Sequence, residues 1–210
     1  MLKKYIFTKL KKLKIKKLNY LFNQFEIYQT KKREQDKKEL IKQFKKVGSG
    51  FNLGKDYFIY NPEFMEFGNG FSARDRFRIE AIKEYEGAFF TPQIKIGNNV
   101  IFNFDIHIGC SNLIEIGDNC LFGSRIYITD HHHGDTSDGM KNIIVKNRPL
   151  ISKGSVCIKD NVWVGEGVAI MPNVTIGENS IVASNAVVTK NIPANSVVAG
   201  IPATIIKILS

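Results

Sequence analysis

Apolar residues recur every six positions along most of this chain, a spacing that few folds can use. Val47, Leu53, Ile59, Met65, Phe71 and Phe77 form a first run. Ile96, Phe102, Ile108 and Ile114 form a second, and after a two-residue shift Ile116, Phe122 and Ile128 continue it. The longest run is Ile158, Val164, Ile170, Ile176, Val182, Val188, Ala194 and Gly200, with a second row two residues earlier at Val156, Val162, Val168 and Val174. An amphipathic helix repeats at 3.6 residues and a half-buried strand at 2, so neither sustains this spacing. Fixed self-similarity marks a stacked-repeat architecture. The expected solution is a solenoid in which three short strands and three tight corners close each coil. Each coil buries its inner face only against its neighbours. The segments I-G-N-N, I-G-D-N and I-G-E-N supply the Gly, Asn and Asp that tight corners favour.

Two segments, residues 79–93 and 129–150, interrupt the period. The second is polar and contains three consecutive histidines. A loop extruded from a rigid solenoid is a common place for function.

The formal charge of +10 has one source. Residues 1–47 hold 16 Lys and Arg against 4 Asp and Glu, whereas residues 48–210 hold 14 against 16. The basic character is therefore that of an N-terminal extension, and the body is close to neutral. Leu2, Ile6, Leu10, Leu13, Leu18, Leu21 and Phe25 approximate helical spacing with lysines between them, so the extension is expected to be a basic amphipathic helix. It can serve as contact with an anionic membrane surface through residues 1–25, or as a helix packed on the body with its lysines in solvent. No nucleic-acid motif accompanies the charge, so no nucleic-acid partner is expected.

Cys110, Cys120 and Cys157 are odd in number and lack C-x-x-C spacing, which fits a reducing compartment. Lysines interrupt any apolar stretch near the N-terminus, so no secretory signal or membrane span is expected. The expected location is the cytoplasm, with the inner membrane face as a peripheral site.

The run "NVWVGEGVAIMPNVTIGENSIVASNAVVTKNIPANSVVAGIPA", the I-G-x-N repeats and the preceding "ITDHHHGD" resemble the hexapeptide-repeat acyltransferases. Within them the likeness is to the maltose and galactoside O-acetyltransferases and to a sister group acting on surface polysaccharides. The resemblance implies a mainly β chain: a left-handed parallel β-helix with an extruded active-site loop, behind a basic helical extension. It divides the chain into an extension over 1–46, a solenoid over 47–205 and a tail over 206–210. It also implies a homotrimer with active sites in clefts between solenoids. Acetyl-CoA would be the acyl donor and a saccharide the acceptor, with no metal.

Acyl transfer to an alcohol needs a base, because the alcohol is protonated at neutral pH, and histidine suits that task. In Asp130-His131-His132-His133 the resemblance leaves two candidates. Loop counting favours His131, while an ungapped match to the sugar acetyltransferases favours His133. Asp130 can hold a ring in one tautomer. His131 and His133 can also share a metal ion. His107, alone in a repeat, reads as a coil or interface residue. Asn103 matches an acceptor-contacting asparagine of the family, although asparagines also fill corners. Asp105 is a second acceptor candidate in the same coil. For the donor, Trp163 and Gly165 fall where the family lines the pantetheine arm, and a glycine there would let the ligand approach the backbone. Ser184 and Ala186 are expected further along that groove, and Thr189 and Lys190 near the nucleotide phosphates. The relatives' arginines after A-G-x-P are absent here, where Ala203, Thr204 and Lys207 stand.

Three other activities fit parts of the pattern. An N-acyltransferase keeps the fold and changes the acceptor to an amine. A γ-carbonic-anhydrase-type enzyme spreads metal histidines over separate coils, and His107 is the only histidine outside the loop. A non-catalytic scaffold would bind no acyl-coenzyme A.

Overall fold

A computed structural model describes residues 2–210, with side chains described at residue 9 and from residue 11 onward. Two compact units divide at residues 43 and 44, slightly before the boundary read from the sequence.

The first unit is one helix, Leu2–Ile41. The expected single apolar stripe does not form. Leu13 and Phe22 lie about two and a half turns apart, on opposite sides of the helix, and both are exposed. Apolar side chains instead scatter around the circumference among the lysines. The side chains of Leu2, Ile6 and Leu10, part of that reading, lie outside the described residues. No described helix is long and apolar enough to cross a membrane.

The second unit is the solenoid. Its coils contribute short strands to three parallel sheets, which form the three faces of a prism. Both apolar rows point inward: Met65 with Phe67, and Phe71 with Ala73, are fully buried. Aromatic residues fill the N-terminal coils, where Phe102 stacks on Phe122 at 4.3 Å. Val and Ile fill the C-terminal ones. At one corner an asparagine ladder links successive coils, Asn161 to Asn179 at 2.9 Å and Asn179 to Asn195 at 3.0 Å. These asparagines adopt positive φ, which asparagine tolerates better than most residues.

The repeat departs from the sequence reading at both interruptions and at its end. Residues 79–81 complete the strand Phe77–Ala81, and the first interruption is the small hairpin of Glu84–Tyr85 with Ala88–Phe89. The second opens and closes with an antiparallel pair, His131–His133 against Leu150–Ser152. In the last coil the period slips by two, because that coil is shorter. Ile192 and Val198 are buried, while Ala194 is half-buried and Gly200 exposed. The expected tail is also structured, since Ala203–Ile208 pairs back antiparallel on Ser196–Gly200.

The outward rows differ from face to face. One face carries Lys46, Glu66, Lys95 and Glu115 in register, an alternation of charge suited to water. The next carries Ile101, Leu121, Trp163 and Ile181 in successive coils, an apolar ladder with its first three members exposed. The third carries Arg78, His107 and Tyr127 in one row, and Tyr60, Glu80, Gly109 and Thr129 in the next.

Candidate active site

The histidine loop leaves the third face directly after the strand Tyr127–Thr129. Asp130 is fully buried, and its carboxylate is held by the corner of the preceding coil. It accepts hydrogen bonds from the backbone N–H groups of Ser111 (2.8 Å) and Asn112 (2.7 Å), and from the Cys110 thiol at 3.3 Å. That corner is the place where the hexad period shifts by two. The extra residues form a pocket of donors that the shorter coils lack. Burial, the largest influence on Asp130, works against its ionisation. Hydrogen bonds from His131, Ser111, Asn112 and Cys110 together outweigh burial and hold its pKa below the ordinary carboxylate value.

His131 is buried, and its Nδ1 lies 2.9 Å from Asp130 Oδ1. A carboxylate can only accept, so Nδ1 carries the hydrogen and Nε2 keeps its lone pair. Thr129 Oγ1 donates to the His131 carbonyl at 3.0 Å and accepts from its N–H at 3.3 Å, which fixes the backbone there. A cavity of about 450 Å³ opens in front of the ring, lined by His131, His107, Glu80, Arg78, Tyr85 and Tyr127 among others. Gly109 forms part of its floor. A Cβ added there would stand 3.3 Å from His131 Cε1.

The other two histidines have different surroundings. His133 is exposed at its edge of the hairpin, with its ring 5.2 Å from that of Tyr85. Burial, followed by the charge of Lys153 and His131, lowers the pKa of His132. Among the described residues no group of three or more His, Cys, Asp or Glu side chains is arranged to hold a metal.

The remaining candidates fall at two corners of the third face. Asn103, Gly165 and Ser184 lie where the apolar face turns into it, with Trp163 half-exposed just before Gly165. Thr189 and Lys190 lie at the opposite edge, from which the His131 loop also departs. One chain therefore separates the expected donor residues by the width of a face.

Four residues singled out in the sequence have surroundings that spacing alone did not show. Gly165 is required by coil stacking, since an added Cβ would meet Ser184 N at 2.7 Å and Val182 O at 2.9 Å. Ala186 is fully buried, so its side chain points into the core. Asp105 is engaged by Arg76 through two hydrogen bonds, one of them 2.8 Å long, and does not line the cavity. His107 stands on the coil strand Ile106–Cys110, where it faces the cavity and pairs with Glu80 at 2.9 Å. Glu80, Arg78 and Gly109 escaped sequence reasoning. The glycine outward on a strand was a usable signal, because such a position marks close approach.

Residues 158–190 match the bacterial transferase hexapeptide (six repeats) family. An Escherichia coli K12 protein, WbbJ, assigned as an O-acetyl transferase of lipopolysaccharide biosynthesis, is 37% identical over 154 residues, 71% of this chain and 74% of that protein. The chain belongs to the hexapeptide-repeat acyltransferases. It is also 28% identical to the galactoside O-acetyltransferase of Escherichia coli K12, over 94% of this chain and 78% of that one. Among solved structures, a maltose O-acetyltransferase from Clostridium difficile 630 superposes with a TM-score of 0.54 at 27% identity, covering 84% of this chain and 76% of that one. The three-faced solenoid is thus the left-handed parallel β-helix of this family.

Proposed function

We propose that this acyltransferase moves an acetyl group from acetyl-CoA to a hydroxyl of a saccharide, in the assembly of a surface polysaccharide. The observation that carries the reading is the Asp130–His131 pair at the cavity, with Nδ1 committed to the carboxylate and Nε2 left to accept a proton. His131 Nε2 takes the proton of the acceptor hydroxyl as its oxygen attacks the thioester carbonyl. The carbon–sulfur bond then breaks, and the imidazolium returns the proton to the departing thiolate. The products are an O-acetyl ester and free coenzyme A. Asp130 orients the ring and stabilises its charged form, a division of labour known from other acid–base pairs. The relatives' acceptors, galactosides and maltose by name, support a sugar hydroxyl.

The active unit in this reading is a homotrimer. Its support is twofold: the apolar ladder Ile101–Leu121–Trp163 stands exposed in one chain, and the donor residues lie at two edges that only neighbouring copies can bring together. Trp163 and Ser184 of one copy would then face Thr189 and Lys190 of another across the cleft that holds acetyl-CoA. Asn103, at the edge bearing Trp163, would reach the acceptor from the neighbouring copy.

The protein works in the cytoplasm in this reading, with its N-terminal segment against the anionic inner membrane face. Eight lysines and no acidic residue occur in the first 17 positions, and Leu18, Leu21, Phe22 and Phe25 form an apolar cluster beyond them. Each lysine near an anionic surface contributes about 1 kcal/mol.

The test is product chemistry. Incubation with acetyl-CoA and methyl glycosides should yield an acetylated sugar whose acetyl group is released by mild alkali, as an ester's is. An alkali-stable acetamide would point to N-acylation, and no acetylated product with any sugar or amine would overturn the reading.

A further inference from the structure

On the third face, a half-buried carboxylate lines the cavity in front of His131. Glu80 lies in register with Gly109, the residue whose missing side chain leaves room beside the His131 ring. One of its oxygens, Oε2, is fully engaged. Arg78 Nε donates to it at 2.6 Å and His107 Nε2 lies 2.9 Å away. The other oxygen, Oε1, has no hydrogen-bond partner among the described residues. It is not shut away from solvent, so it is free to accept from a hydroxyl of a ligand that enters the cavity.

We infer that Glu80 is an acceptor-binding residue, whose Oε1 accepts a hydrogen bond from a sugar hydroxyl next to the one acetylated, and that the cavity is a subsite for an uncharged pyranose ring. The inference rests on the proposed sugar O-acetylation and names what holds the sugar.

Three features define the ligand class. Arg78 is paired with Glu80 at 2.6 Å, so it presents no unbalanced cation to a phosphate or uronate. The same ion pair offsets the Glu80 charge, so no unbalanced carboxylate is left to attract an ammonium group. Tyr85 and Tyr127 add aromatic surface to the cavity wall, the kind of platform on which the C–H face of a pyranose packs. Tyr85 is itself fixed, because its hydroxyl donates to the Lys146 carbonyl at 3.1 Å and its ring meets that of His133. Burial opposes ionisation of Glu80, but hydrogen bonds from His107 and Arg78 prevail and hold its pKa below the ordinary value. It is therefore ionised, and a strong acceptor, at neutral pH.

Methyl glycosides of galactose, glucose and N-acetylglucosamine, bound to the whole 210-residue chain and observed by saturation-transfer NMR, test the inference without requiring turnover. The glycoside that binds best should lose at least 10-fold in affinity on Glu80→Gln, which keeps size and removes charge. Its monodeoxy analogues should include one that loses as much on wild-type protein and loses nothing further on the variant. The deoxy series on wild-type protein stands even if the variant misfolds. Equal affinity in wild type and folded Glu80→Gln, or a deoxy series with no position costing more than about 2-fold, would overturn the inference. Glycoside binding that responds to Glu80→Gln without acetyl transfer would instead retire the proposed reaction and keep the subsite.

Discussion

Asp130 and His131, adjacent in sequence, are joined by a 2.9 Å hydrogen bond between a fully buried carboxylate and the Nδ1 of a nearly buried ring. Neighbours in an extended segment normally point to opposite sides. Here the turn out of the solenoid folds the second side chain back onto the first, and the carboxylate is anchored by the preceding coil rather than by its own loop. His131→Ala should therefore lower kcat about 10²- to 10⁴-fold, the usual range for loss of a general base. His133→Ala should change kcat by less than 10-fold, since that ring meets Tyr85 and not Asp130. Steady-state kinetics of the two variants side by side decide between the candidates that the sequence left open.

Asp130→Asn tests the anchor separately. The amide keeps the shape but can present an N–H where Nδ1–H needs an acceptor, so kcat should fall by a factor on the order of 10² to 10⁴ with little change in KM for acetyl-CoA.

The same carboxylate predicts an acid limit on stability. Its folded pKa lies below its ordinary value of 3.8. A depressed carboxylate stabilises the fold fully above its unfolded pKa, and that contribution is lost as the pH falls through the folded one. Urea unfolding of wild type should weaken between about pH 4 and pH 2. Asp130→Asn, with no proton to gain, should be less stable at pH 7 and should lose less on acidification.

Gly109→Ala should be nearly silent in folding and costly in catalysis. The backbone there is ordinary strand, but the new methyl would stand 3.3 Å from His131 Cε1. A small displacement of a catalytic ring is enough to cost 10-fold or more in kcat/KM. The melting temperature should stay within about 3 °C of wild type, roughly the shift that a change near 1 kcal/mol produces at this size.

Leu121→Glu should separate assembly from folding. The residue stands outward in the apolar ladder, 42% exposed, in register with Ile101 and Trp163. A charge there should convert a trimer to monomers by light scattering, with the circular dichroism of the solenoid retained and turnover lost. A monomeric wild type, active on its own, would contradict the trimeric reading.

Much of the fold was legible because burial in stacked coils imposes one strict spacing, and the inward residues from Met65 to Val188 follow it. The slip at Ile192 and Val198 was not, because Ala194 and Gly200 also continue a period of six and only the shorter last coil decides between them. In the helix, spacing misled: a few chosen leucines suggested a stripe, while Ile15, Tyr20 and Phe22 populate the other sides. At the site, the histidine loop was evident from its composition. The partnership of Asp130 with the Cys110–Asn112 corner was hidden, because it joins residues one coil apart. Glu80 was hidden for the same reason, since its meaning arises only when Arg78 and His107 are stacked in register.

The most direct measurement is release of free thiol from acetyl-CoA by the wild-type protein, with and without methyl glycosides, beside His131→Ala. The account predicts release that depends on a sugar and falls at least 100-fold in the variant, with folding and coenzyme A binding retained. Release of equal rate in the two proteins, or release indifferent to sugar, would contradict it.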